Sequence, residues 1–462
     1  MAQGTRWARN GHEHALTVIG RKMLTTSTAL PVRDLLDIAL SEMVDGVAIG
    51  FAVMRVACGR KGGGDFMATD GPSGRTGRPL MAAGPPDVTD WRGWMRWSAT
   101  QNWADPASWR QFLLPWTTPP PSGARYGAVE VTWTSFFEAD PGPAFARHWE
   151  GVGPALERWW LSDRRGGGDA SAERARSQLR RHMPELVPLW EGLVERAGGA
   201  PLAATILALW NPPAFLTGCS QAVVPAGGPA LIRNYDWDYR LFDATVASTG
   251  YLGRRVVGTE DCGWGLLDGV NDAGLAVSLT FGGRPEVGEG FGVPLVLRYV
   301  LQTCTGIDDA AAALLRIPIH MSYNVTVTDA TGRVATVFVA PDRPGRVTGD
   351  AATTNHQGVV EWRPYCEAIR SEERLALLSE RLDQGDDVPA LTAAFLREPL
   401  YAARFHDGFG TLYTAVTRPD ERSITYHWPG REPVTHALDH PRTDGAAITL
   451  DSPEPRPVSG TS

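Results

Sequence analysis

Cysteine is scarce in this chain, and excess positive charge is absent. Five cysteines are spread over 462 residues, at positions 58, 219, 262, 304 and 366. They form no CxxC pair and no His/Cys group at zinc spacing. This argues against a disulfide framework and fits a reducing compartment. Lys and Arg total 44 against 52 Asp and Glu, a formal net charge of -8. The basic footprint of a general nucleic-acid binder is therefore missing. Long apolar runs are missing too. The run Val47 to Cys58 is too short to span a bilayer and carries Arg55. Near the start, Arg6, Arg9 and His12 precede no apolar h-region, so no signal peptide is read there. These absences predict a cytoplasmic protein with no nucleic-acid partner, no membrane partner, no metal and no cofactor.

What is present is an ordinary globular composition, 43% hydrophobic and 21% charged, with enough chain for a sizeable core. Its first part differs from the rest. Lys61-Gly62-Gly63-Gly64, Asp70-Gly71-Pro72-Ser73-Gly74, Gly84-Pro85-Pro86 and Pro119-Pro120-Pro121 break both helices and strands. Trp91, Trp94, Trp97, Trp103, Trp109 and Trp116 follow no clear period. A stacking surface for bases or sugars is one reading of them. The blander reading is preferred: residues 1–125 are a poorly ordered extension, or no part of the fold.

From Tyr126 the texture changes. Ala128 to Thr134 alternates like a strand. Pro141–Leu161 and Ala170–Ala197 read as amphipathic helices, the second with Leu179, Met183, Leu186, Leu189 and Leu193 on one face. Beyond Cys219, strand signals dominate. Ala230–Trp237 is one strand. Hairpins are expected over Gly265–Thr280, Asn324–Ala340 and Thr411–Trp428, with turns near Asn271–Gly274, Asp329–Gly332 and Arg418–Asp420. Helices are expected at Leu295–Cys304, Ile307–Leu315, Ser371–Leu382 and Ala390–Leu396. Hairpins packed with helices imply a mixed α/β layered domain.

The chemistry centres on Leu216-Thr217-Gly218-Cys219-Ser220-Gln221. A lone Cys after Gly reads as a small core hydrophobe. Fourteen residues on, Arg233-Asn234-Tyr235-Asp236 alone reads as a strand end with a surface ion pair. Together they suggest more, because a nearby Arg favours the thiolate of a Cys. No strong His base lies close in sequence. The α-amine of Cys219 would serve, with an unperturbed pKa of about 8. Freeing it requires cleavage of the Gly218–Cys219 bond, which the same thiol can begin by attacking the Gly218 carbonyl. Gly218, without a Cβ, tolerates unusual backbone geometry there.

These segments resemble the acyl-coenzyme A:6-aminopenicillanate acyltransferase family of cysteine N-terminal-nucleophile (Ntn) hydrolases, related to choloylglycine hydrolase, penicillin V acylase and acid ceramidase. The resemblance runs from about Val129 to Gly430. It is carried by Gly218-Cys219-Ser220-Gln221, Arg233-Asn234-Tyr235-Asp236, Gly269 to Ala276, Thr353-Thr354-Asn355-His356 and Gly410 to Thr414. It implies an α/β fold, a four-layer αββα sandwich. Residues 126–218 would form the segment ahead of the cut and 219–440 the catalytic segment, with a disordered tail at 441–462. Cys219 would be nucleophile and, through its freed amine, base. Arg233 would hold the thiolate, Asp236 would orient the amine or bind substrate, and Asn355 would donate to the oxyanion. Thr280 and Asn234 are further oxyanion or substrate candidates. The implied activity is a self-processing amidohydrolase or N-acyltransferase on a linear amide or acyl thioester, with a small acyl amide or acyl-CoA-like substrate. The two fragments would stay associated. The competing readings are a non-catalytic relative that binds a small acylated ligand, and a protein whose business lies in the Trp-rich N-terminal part. His356, Tyr323-Asn324 and the Asp261, Asp268 and Asp272 group are read as packing, strand-end and turn residues. Cys262, Cys304 and Cys366 are read as inert core thiols.

Overall fold

The computed structural model describes residues 128–162, 168–225, 227–405 and 409–451. The expected extension at 1–125, with its tryptophans, lies outside the described residues. The described chain forms two β-sheets. The larger has nine strands, in the order β10-β9-β8-β7-β6-β5-β4-β1-β16. These are β1 (Val129–Glu138), β4 (Thr245–Thr249), β5 (Val256–Asp261), β6 (Gly265–Asn271), β7 (Leu275–Phe281), β8 (Tyr323–Asp329), β9 (Val334–Ala340), β10 (Arg343–Thr348) and β16 (Gly445–Leu450). The smaller runs β11-β2-β3-β13-β14-β15, with β12 also paired to β13. Its strands are β2 (Gly218–Val224), β3 (Ala230–Trp237), β11 (Ala352–Thr353), β12 (Ala403–Arg404), β13 (Phe409–Arg418), β14 (Ser423–His427) and β15 (Val434–Ala437). Neighbours are antiparallel except β1 and β4.

Ahead of the Cys lie α1 (Pro143–Ser162), α2 (Asp169–His182), α3 (Val187–Arg196) and α4 (Pro201–Leu207), packed mainly on one another. Later come α5 (Val293–Thr303), α6 (Ile307–Arg316), α7 (Arg363–Ala368), α8 (Ser371–Asp383) and α9 (Val388–Phe395). Helices α5 and α6 cover the outer face of the large sheet, and α8 and α9 that of the small one. The inner faces meet where β2 and β3 lie on β7, and β13 and β14 on β6. The layer order is αββα, as the resemblance implied. A burial-driven core fills the space between the sheets, including Val246, Leu266, Val277, Tyr235 and Tyr413. No helix among the described residues is long and apolar enough to cross a membrane.

The three hairpins form. Asn271 shapes the first turn: its Oδ1 accepts from the Ala273 and Leu275 N–H groups, and Gly274 takes φ +77°. Asp329 and Gly332 (φ +82°) do the same in the second. Two expectations need correction. Ala170–Ala197 is not one helix. Pro184 lacks an N–H and holds Met183 outside the helical region (φ -141°, ψ 58°), so α2 and α3 are separate, joined by a 3-10 turn. Nor is 441–462 a disordered tail throughout. Ala446 to Leu450 pair with β1, with Ile448 and Leu450 buried, because β1 offers an open edge for a short alternating strand.

Candidate active site

Strand β2 begins at Gly218, and β3 returns beside it, so Cys219 faces Tyr235 and Gly218 faces Asp236. Side chains along a strand point alternately to opposite faces. Cys219, Gln221, Arg233 and Tyr235 therefore face the large sheet. Ser220, Asn234 and Asp236 face the outer helices. Both faces are buried along β2 and most of β3, so neither strand shows a hydrophobic-polar alternation in sequence.

The structure brings Cys219, Arg233 and Asn355 together. Arg233 Nη2 donates to Cys219 Sγ at 3.4 Å. The Cys219 N–H donates to Asn355 Oδ1 at 3.0 Å. Thr217 Oγ1 lies 3.8 Å from the sulfur. Arg233 is aimed by its other bonds: Nε donates to the Leu279 carbonyl (2.9 Å), and Nη1 to Asp268 Oδ2 (2.8 Å) and Tyr413 Oη (2.7 Å). Its guanidinium stands 4.7 Å from the Tyr235 ring centre. Asp268 also accepts from Thr259 and Tyr413.

The electrostatics of this closed site differ from the sequence expectation. Burial pushes the Cys219 thiol up; Arg233 pulls it down, and Asp236 adds to the rise. Burial wins because Cys219 is 0% exposed. In the closed site burial thus works against the thiolate that Arg233 favours.

Asp236 and Asn234 do not join Arg233 at the sulfur. Asp236 Oδ1 accepts from Thr411 Oγ1 at 2.7 Å, and Oδ2 lies 3.4 Å from Arg374 Nη1. Burial raises its pKa, opposed by Arg374 and Thr411. Asn234 points outward. Its Nδ2 donates to the Phe395 and Leu400 carbonyls, and its Oδ1 accepts from Thr414. That side chain ties β3 to the end of α9 and is spent on packing. Thr280 Oγ1 donates to the Thr354 carbonyl at 2.6 Å and accepts from Asn324 Nδ2. It anchors the loop that carries Asn355. Asn355 Nδ2 donates to the Phe281 carbonyl (3.0 Å), which uses one of its two N–H groups. Gly218 is not in a left-handed conformation; the reason for glycine is space. A Cβ there would stand 2.6 Å from Phe409 Cζ and 3.2 Å from Asp236 Cβ.

Sequence reading missed Arg374. From α8 it donates to the Cys219 carbonyl (2.7 Å), Ser220 Oγ (2.8 Å) and Asn355 Oδ1 (2.8 Å). A signal was available: Ser371, Arg374 and Leu378 form the buried stripe of α8, and an arginine on such a stripe needs partners. Tyr365 was also missed; its hydroxyl donates to the Thr217 carbonyl at 2.5 Å. His356 is no base here. Its Nδ1 meets Ser371 Oγ, which also receives the Asn355 N–H, and burial lowers its pKa. Burial raises the Cys262, Cys304 and Cys366 thiols. Asp261, Asp268 and Asp272 bond to Tyr235, Arg233 and Arg254, and no metal-binding cluster occurs among the described residues.

Residues 223–433 match the family model described as acyl-coenzyme A:6-aminopenicillanic acid acyl-transferase. The match covers just under half of the chain. The acyl-transferase match contains Arg233, Asp236, Asn355 and Arg374 and begins just after Cys219. No curated protein matches the sequence. Among solved structures, a mutant conjugated bile acid hydrolase from Clostridium perfringens is similar at 12% identity and a TM-score of 0.36, over 51% of this chain and 98% of its own. The Caenorhabditis elegans N-acylethanolamine-hydrolyzing acid amidase ortholog is 14% identical, with a TM-score of 0.33, over 44% and 93%. Penicillin V acylase from Agrobacterium tumefaciens is 14% identical, with a TM-score of 0.33, over 50% and 91%.

Proposed function

We propose that this chain is a self-processing cysteine enzyme that moves acyl groups from linear amides or acyl thioesters through an acyl-Cys219 intermediate. One observation carries the reading: a single junction residue has its sulfur on Arg233 Nη2 and its nitrogen on Asn355 Oδ1. In self-cleavage the sulfur attacks the Gly218 carbonyl carbon. The bond to the Cys219 nitrogen breaks, and that nitrogen takes the thiol proton. Water then hydrolyses the thioester, leaving a Gly218 carboxylate and a free α-amine.

In turnover that amine takes the thiol proton, the sulfur attacks the substrate carbonyl, and the amine returns the proton to the leaving group. Arg233 offsets the charge on sulfur. Asn355 Oδ1 and Arg374 hold the α-amine and the Cys219 carbonyl in place, and the second Asn355 N–H serves the oxyanion. Water or an amine finally accepts the acyl group. No cofactor enters this scheme. The two fragments stay together because β1, from before the cut, is paired on one side with β4 and on the other with β16.

The test is intact-mass spectrometry of the purified chain. Fragments ending at Gly218 and starting at Cys219 are expected, and a single chain for Cys219→Ala. A wild-type chain that stays whole yet active refutes the amine-base scheme. The second reading is a non-catalytic protein that binds an acylated ligand. Full burial of Cys219 is the observation in its favour. Selective alkylation of Cys219 near pH 7 after processing would exclude it.

A further inference from the structure

The segment just before Cys219 is held at several points along its length. Trp210 bridges to Phe291, the Asn211 N–H donates to the Gly290 carbonyl, and Asn211 Oδ1 accepts from the Gly290 N–H. Asn211 has φ +51°. Residues 212–217 then run without helix or strand into β2. Phe215 sits among three aromatic side chains. Its ring is stacked on Trp237 (5.5 Å between centres, 26°), tilted against His320 (6.0 Å) and edge-on to Trp159 (6.0 Å). Leu216 and Thr217 are fully buried, whereas Phe215 is half-buried. The segment therefore passes from a half-buried aromatic cage to the buried sulfur.

Self-cleavage would make Gly218 the acyl group on Cys219, with Thr217, Leu216 and Phe215 as its chain. Any later acyl group on the same sulfur must use the same space. Resting on the self-processing scheme above, the geometry points to residues 212–218 as a built-in plug. Pinned at Asn211, the cut arm occupies the acyl pocket as a product-like inhibitor. When it swings out, the pocket takes an elongated apolar acyl group with a planar tip. The tip lies between Trp237 and His320, and the Tyr365 hydroxyl takes whatever polar atom replaces the Thr217 carbonyl. Three residues of extended chain separate the cage from the thioester, roughly 10 Å, which sets the length of acyl group that fits.

Two measurements on the full chain test this, both read by mass spectrometry of the fragment that begins with Cys219. The first compares wild type with chloroacetone and with phenylpentyl chloromethyl ketone. Each alkylates the sulfur as chloride leaves and the thiol proton passes to the α-amine. The longer ketone is expected to react at least roughly tenfold faster, from ring stacking in the cage. The second compares wild type and Phe215→Ala with iodoacetamide. The variant arm, released from its cage, should allow roughly tenfold faster labelling. A synthetic Pro-Pro-Ala-Phe-Leu-Thr-Gly peptide should slow it again, and the same peptide with Ser for Phe should not.

If no Cys219-terminal fragment forms, the self-processing scheme fails and this inference fails with it. If the fragment forms but the two ketones react alike, the acyl pocket is elsewhere and this inference alone is overturned. Should Phe215→Ala not fold, the ketone comparison on wild type still decides.

Discussion

Arg374 is the least expected group at the site, and its removal makes the sharpest test. Its side chain is 3% exposed and its partner Asp236 2%. Replacing it with Met keeps the aliphatic stem and deletes the charge and the donors. Asp236 then keeps Thr411 as a partner but loses its counter-charge, and the Cys219 carbonyl, Ser220 Oγ and Asn355 Oδ1 each lose a donor. Breaking a buried pair from one side costs about 3–5 kcal/mol, chiefly through the charge left behind. Asp236→Asn in the same chain removes that charge, and the double variant should recover about 1–3 kcal/mol relative to the sum of the singles. The assay is urea unfolding followed by tryptophan fluorescence. It is run on the Cys219→Ala chain, so that processing does not differ between variants. Additive costs for the two substitutions would refute the claim that Arg374 is held there by Asp236. A cost under about 1 kcal/mol for Arg374→Met would refute the buried network itself.

Other predictions follow from the same geometry. Asn355→Ala should slow both self-cleavage and turnover by roughly 10²–10³, the usual loss for an oxyanion donor, as read by fragment formation over time. Gly218→Ala forces a Cβ into Phe409 and should cost about 1–3 kcal/mol in urea unfolding while slowing the cut; unchanged stability would refute the close packing. Asn234→Ala should destabilise by about 1–3 kcal/mol per buried carbonyl left without a donor, yet leave the rate of Cys219 alkylation in folded protein unchanged. Burial lowers His148 to about 4. Its unfolded form gains a proton that the folded form resists, so stability falls as pH drops from about 6.5 to 4, by roughly 3 kcal/mol. Unfolding curves for His148→Gln should lack that part of the slope.

How much of the site was legible depended on how each residue signals itself. Asn271, Gly274, Asp329 and Gly332 speak through local turn chemistry, so the hairpins were visible. Cys219 and Arg233 lie in adjacent strands of one hairpin, and strand pairing brings them together. Asn355 was found through resemblance, because 136 residues separate it from its bond to Cys219. Tyr365 and Asp268 carried no comparable local mark, and Arg374 only its spacing with Ser371 and Leu378 along α8. Arginine on a helix is ordinarily a surface residue. Only the packing of α8 beneath β2 turns Arg374 inward. Asn234 was misplaced for a related reason: a strand buried on both faces hides which of its residues faces Cys219.

The sequence by itself determined the three hairpins and the Arg233 strand and singled out Gly218–Cys219 as a candidate junction, because those depend on backbone preferences and short spacings. Tertiary structure alone decided the rest. It chose the face of β3 that meets the sulfur, and it supplied Arg374 and Asp268 as the partners that fix Asp236 and Arg233. It also raised the thiol pKa above what Arg233 alone would allow. Each of these depends on burial and on contacts between distant segments, since desolvation and charge pairing act through space.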